Sequence, residues 1–225
     1  MKRLLFVLAA FPLIVSAKTG VIKNELGLQI FTEEVETPAA VIKQLEMLDT
    51  MGAQVQADDA IKSITEVVNL GEKIWKIIEK NKPVLNVKYA YANAVPKGVK
   101  GPEELEGFTP MNYRSFRKSG KNWFGSTVFD VTYTLAHRYN GSFQGRGKYL
   151  DAVTVLPHKV DVLWGYTVNF NVNRVSTANV GNEKAPLASV VMEMDFQVST
   201  MLKASQYRNM YEFRGDTARV TSIED

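Results

Sequence analysis

The residues best suited to binding chemistry lie between Met111 and Phe124, a run that reads MNYRSFRKSGKNWF. Tyr113, Phe116, Trp123 and Phe124 are interleaved there with Arg114, Arg117, Lys118 and Lys121, and no acid interrupts them. Aromatic faces stack on sugar rings and cations attract anionic groups, so Tyr113, Arg114, Phe116, Arg117, Lys118, Lys121 and Trp123 form a candidate ligand-binding set. Ser119-Gly120 supplies the turn signal that places this set around a hairpin tip. The competing reading is an aromatic strand packed on the core with a solvated basic face, because aromatics are common strand formers.

Catalytic chemistry finds less support. Glu193 and Asp195 project from one face of a strand about 6 to 7 Å apart, a separation compatible with paired acid and base roles in glycoside cleavage. Alternation alone places such pairs on exposed sheet faces, so solvated surface or a weak calcium site is the simpler reading. His137 and His158 are the only histidines and the chain has no cysteine, which argues against a nitrogen and sulfur metal site and excludes thiol catalysis and disulfides. His137 continues an apolar strand face, and His158 after Pro157 reads as turn surface. No Gly-x-Ser-x-Gly elbow is present to place a serine nucleophile. The glycine-rich run from Gly141 to Lys148 lacks the strand and helix context of a phosphate-binding loop and reads as a twisted hairpin edge. No catalytic residue, metal or cofactor is therefore expected. Asn140-Gly141-Ser142 matches a glycosylation acceptor, which matters only in a eukaryotic secretory pathway.

The elements that must position these residues begin with MKRLLFVLAAFPLIVSA. Two cations, a short apolar run containing Pro12 and a small-residue ending read as a signal peptide over residues 1–17, too short to span a bilayer. Export to a bacterial periplasm or to the extracellular space follows as an expectation. Net charge is +3 for the whole chain, and removing residues 1–17 leaves 25 basic and 24 acidic side chains. Such a near-neutral chain lacks the positive field that nucleic-acid binding exploits, so no nucleic-acid partner is expected.

Residues 18–83 read as an amino-terminal helical segment. Thr37-Pro38 forms a helix start, with Val41, Leu45 and Leu48 at helical spacing before Gly52. A second amphipathic helix from Asp58 carries Ile61, Ile64, Val67, Val68, Trp75 and Ile78 until Pro83. Residues 32–80 hold ten acids and five lysines, whereas 81–225 hold 18 basic and 13 acidic residues. An acidic arm docked on a basic body is one reading of that asymmetry; ordinary soluble helices are the other.

From residue 84 to 225 the apolar period changes to two. Leu85 to Tyr91, Phe129 to Leu135, Val160 to Val172, Val190 to Val198 and Tyr207 to Phe213 each alternate apolar and polar residues, with a long loop from Pro96 to Pro110. Asn140-Gly141 and Gly181-Asn182 are further turn signals. The fold expected is mainly β: an antiparallel β-sandwich of about 6 to 8 strands preceded by one or two amphipathic helices. An outer-membrane barrel is disfavoured by the long helical prelude and by a terminus, Ser222-Ile223-Glu224-Asp225, without an aromatic ending.

This plan resembles that of actinoporin-type pore formers, which also join an export leader, an amphipathic helix and a cysteine-free, aromatic-rich sandwich. The resemblance is one of layout; here the helix lies away from the mature terminus and has a wide apolar face. It implies a membrane-active protein with residues 58–80 as a mobile element and the Trp123 hairpin as its docking surface. The leading expectation is an exported, non-enzymatic binding protein that recognises a glycan or a protein partner, with the membrane surface as the alternative and a glycan-active enzyme using Glu193 as a third.

Overall fold

A computed structural model describes residues 18–20, 24–43, 45, 87–88, 91–96, 99, 101 and 102–223. The leader reading over 1–17 and the helix reading over 58–80 lie outside the described residues. The molecule is mostly β. A six-stranded sheet has the order β1-β2-β5-β6-β7-β4, and a five-stranded sheet has the order β11-β10-β9-β8-β3. The strands are β1 (Lys18–Gly20), β2 (Gln29–Val35), β3 (Val87–Lys88), β4 (Tyr91–Ala94), β5 (Asn112–Lys121), β6 (Thr127–Phe143), β7 (Arg146–Val162), β8 (Thr167–Asn179), β9 (Ala188–Ser199), β10 (Ala204–Arg214) and β11 (Val220–Ile223). Pairings are antiparallel except β3 with β8.

The two sheets meet through the alternating apolar faces read from the sequence. Phe129 of β6 lies 4.7 Å from Phe196 of β9, ring centre to ring centre, and the Tyr133 and Tyr211 hydroxyls are 2.7 Å apart. Val190, Met192, Met194, Phe196 and Val198 are all buried on one face of β9. Each such large apolar side chain contributes about 1.5 to 3 kcal/mol on burial. Burial also raises the Tyr133 phenol to about 12, with its bond to Tyr211 opposing the shift. Thr132 and Thr134, on the polar side of β6, are buried as well. Ser115 Oγ bonds both Thr134 Oγ1 and Thr37 Oγ1, tying that side to the foot of the short helix at 39–43, whose Val41 joins the core. The Thr37-Pro38 helix start is thus found: the Val41 and Ile42 N–H groups both donate to the Pro38 carbonyl.

Several turn and strand readings are corrected. Ser119-Gly120 is not a hairpin tip: β5 runs straight through it, and Gly120 is needed because a Cβ there would lie 2.2 Å from the Phe129 ring. The turn comes later, at Asn122–Ser126. Asn140-Gly141 likewise lies inside β6, where Asn140 adopts φ 72° amid register shifts, and the reversal falls at Gln144-Gly145 with φ 51° and 71°. Paired positive φ values suit the twist of a two-residue hairpin. Gly181-Asn182 does occupy the β8–β9 connection, braced by Asn179 and Asn182 side chains.

The run from Val160 to Val172 is two strands, not one. It breaks at Leu163–Tyr166, where the Tyr166 N–H donates to the Leu163 carbonyl at 3.1 Å and Gly165 takes φ 86°. Apolar alternation continues through the turn and so conceals it. The run from Leu85 to Tyr91 is divided as well: β3 joins one sheet and β4 the other. β1 and β2 fall within 18–83, which reads as helical, and β2 pairs with β5 over Gln29–Val35. His158 is no turn residue either; it sits in β7 as the extra residue where Thr132 opposes Lys159 and Tyr133 opposes Pro157.

Candidate functional site

β5 splits the predicted binding set between its two faces. Phe116 stacks 5.8 Å from Tyr133, and Arg114 lies over the Phe116 ring while holding Glu34 of β2 with two hydrogen bonds, of 2.8 and 2.6 Å. Those bonds pull the Glu34 carboxyl below its usual range and push the Arg114 guanidinium up. Lys118, with 5% exposure, is buried between the sheets. Its Nζ donates to Asn209 Oδ1 at 2.5 Å and lies 5.7 Å from the centre of the Tyr207 ring.

On the other face Arg117 Nε donates to Asp130 Oδ1 at 2.9 Å, its Nη2 to Oδ2 at 2.5 Å, and its Nη1 to Glu33 at 3.2 Å. Hydrogen bonding to Asp130 is the main reason its pKa rises. Lys121 reaches over the Phe31 ring of β2, and Tyr113 packs partly buried against the core. The acids that answer this cluster are remote in sequence, on β2 and β6. Most of its positive charge is therefore spent inside the sheet, and the aromatic strand reading describes Tyr113 to Lys121.

Trp123 is different. It lies in the β5–β6 turn at 80% exposure beside Phe124 at 73%, with ring centres 3.8 Å apart. The Leu163 N–H donates to the Val128 carbonyl at 2.8 Å, which brings the β7–β8 turn to the start of β6. Thr167 pairs with Ser199, and Ser199 with Ala204, which sets the β9–β10 turn beside it. All three turns thus occupy one end of the two-sheet body. Exposure there is 42% for Leu163, 95% for Trp164, 101% for Met201 and 93% for Leu202. Six of the nine exposed large apolar residues among those described lie on these turns, so the concentration is local and not the scatter of an ordinary surface.

Two polar side chains of these turns help to build them. Asn122 Oδ1 accepts from the Phe124 and Ser126 N–H groups at 3.1 and 2.9 Å. Thr200 Oγ1 accepts from the Leu202 and Lys203 N–H groups at 3.3 and 3.1 Å. Sequence reading found Trp123 in this site but missed Leu163, Trp164, Met201 and Leu202. Trp164-Gly165 was the available signal, overridden by the alternation around it.

The other candidate residues have partners of their own. Glu193 pairs with Arg208 of β10 at 3.2 Å, and Asp195 accepts both bonds from Gln206 Nε2 at 2.9 Å. His137 is fully buried, and one neutral tautomer serves both its contacts: Nε2–H donates to the Thr217 carbonyl at 3.3 Å and Nδ1 accepts from Asn112 Nδ2 at 3.4 Å. Burial holds His137 at about 4, and burial lowers His158 to about 4 as well. No family model matches this chain, and comparison with curated proteins and with solved structures gives no match either, so the reading of the site rests on its geometry.

Proposed function

We propose that this chain is an exported, non-enzymatic binding protein on a β-sandwich scaffold with an amphipathic helical segment following β2 in the chain, and that it meets its partner with the end formed by the three apolar turns. The observation that carries this reading is the grouping of Trp123, Phe124, Leu163, Trp164, Met201 and Leu202 at one end, exposed on turns that Asn122 and Thr200 brace with bonds to the backbone. The sandwich description is supported by the aromatic contacts between sheets and by Glu193, Asp195 and Gln197 on the outward side of β9, the reverse of a barrel that faces lipid. Within the basic cluster, Trp123 is the residue that carries over into this site; Arg114 and Arg117 serve chiefly to hold β2, β5 and β6 together, and Lys118 ties β5 to β10.

Retention on immobilised phospholipid vesicles and on insoluble cell-wall polysaccharide tests the reading. The wild type should be retained on at least one, and a Trp123→Ser/Trp164→Ser variant on neither. Wild-type protein passing unretarded through both would overturn it, as would equal retention of the variant.

A further inference from the structure

We infer that the three turns dock together on the boundary between headgroups and acyl chains of a phospholipid bilayer, with a preference for anionic lipid. The inference rests on the reading of this end as the binding surface and adds the chemistry of the partner.

The shape of the end favours a planar, deformable partner. The apolar side chains are tips on three separate hairpins, not the walls of a groove. Trp164, Met201 and Leu202 touch almost nothing else in the described molecule. A sugar ring needs acceptors for its hydroxyls beside its stacking face, but Asn122 Oδ1 and Thr200 Oγ1 already accept from their own turns. A bilayer makes no such demand. It takes in isolated apolar tips, and it favours tryptophan and tyrosine at headgroup depth, as Trp123, Trp164 and Tyr166 provide.

Charge around the tips agrees. Asn122–Ser126, Leu163–Tyr166 and Thr200–Lys203 contain no acid. Lys121 immediately precedes the first turn and Lys203 closes the third, where long aliphatic stems let the ammonium groups reach phosphates while the apolar tips go deeper. The acids nearby are Asp130, held by Arg117, its cross-strand neighbour Asp161, which is paired with Lys159 at 3.4 Å, and Glu25 in the adjoining turn at 24–28. None lies on a tip. The attraction to anionic lipid is therefore modest and sensitive to salt, and the apolar contact supplies the rest.

Cosedimentation with vesicles of phosphatidylcholine alone, and of phosphatidylcholine mixed equally with phosphatidylglycerol, tests the proposal on the purified protein. The wild type should partition onto both, more strongly onto the anionic vesicles, and tryptophan emission should shift to the blue. Trp164→Ser with Leu202→Ser should lower the partition coefficient by roughly tenfold or more, because two apolar contacts are lost. Lys121→Gln with Lys203→Gln should remove the preference for anionic vesicles, and a preference that survives the change would overturn the part assigned to these lysines. These sites are exposed, so unchanged thermal unfolding will show that the variants fold. Absence of wild-type partition onto either vesicle would overturn the bilayer assignment; retention on polysaccharide in the same preparation would show that the end still binds, with another partner. Partition that survives the Trp164/Leu202 change would also overturn it, assigning the lipid contact to another part of the chain.

Discussion

The two ends of this molecule solve opposite problems. At the end away from the apolar turns, backbone bonds connect the sheets directly: the Asn140 N–H donates to the Gly215 carbonyl at 2.9 Å and the Lys148 N–H to the Pro186 carbonyl at 2.9 Å. Side chains add bonds within each sheet here, with Arg138 bonded to Asp151, Lys148 to Asn140 and Arg214 to Asp216. At the other end the hairpins finish in apolar residues that add little to the fold. The difference teaches where stability and function are held: substitution at the stitched end should destabilise the fold, and substitution at the apolar end should change only what it touches.

The largest expected effect is at Asp151. It is buried, bonds Arg138, and accepts from the Ala152 N–H at 2.8 Å where Ala152 takes φ 54°. Asp151→Ala takes the carboxylate away from a largely buried guanidinium and should cost about 3 to 5 kcal/mol in urea unfolding. A loss below about 1 kcal/mol would remove the stitched end's claim to hold the fold.

Acid should act on the same half. The His137 pKa is about 4 in the folded chain against an ordinary 6.5, so the unfolded chain binds the proton first. Stability from this group is complete above about pH 6.5 and is lost as pH falls toward 4, by roughly 3 kcal/mol. Denaturant midpoints of wild type and His137→Gln across that window isolate the contribution, and a variant slope equal to that of wild type would assign the acid sensitivity elsewhere.

Gly215→Ala comes next. A Cβ at Gly215 would stand 2.2 Å from the Lys148 carbonyl oxygen, a backbone atom with little room to move. About 1 to 3 kcal/mol should be lost, read as a fall in the thermal midpoint. An unchanged midpoint would mean that the sheets can part here without cost. The smallest effect belongs to the opposite end: Trp164→Ser should alter stability by no more than about 0.5 kcal/mol. A larger loss would show that the apolar turns pack against something that supports the fold, and the contrast between the ends would fail.

Much of the core was legible because alternation is a local property. Phe129, Val131, Tyr133 and Leu135 share a face in any extended chain, and so do Val190 through Val198, and each set is buried. Local signals failed where two solutions compete. Ser119-Gly120 and Asn140-Gly141 contain good turn residues, yet both sit inside strands, because Gly120 makes room for the Phe129 ring and Gly141 for Phe108. Conversely, Trp164 occupies an inward position by period and is turned out by Gly165. β2 carries Ile30 into the core but continues after Phe31 with three polar residues, Thr32, Glu33 and Glu34, so its pattern was too weak to announce a strand.

The candidate site shows the same division more sharply. Composition marked Arg114, Arg117 and Lys118 as a basic surface, because sequence windows see neighbours along the chain and not across it. Glu33, Glu34, Asp130 and Asn209, which answer those cations, come from β2, β6 and β10.

By itself, then, the sequence determined the period of each buried face, the absence of cysteine chemistry and the presence of exposed-capable aromatics, since these depend on residue type and spacing alone. Only the tertiary structure decided which glycines turn and which make room, which cations are neutralised, and that three separate hairpins end side by side. Those outcomes depend on strand register, and register is fixed by contacts between residues far apart in the chain.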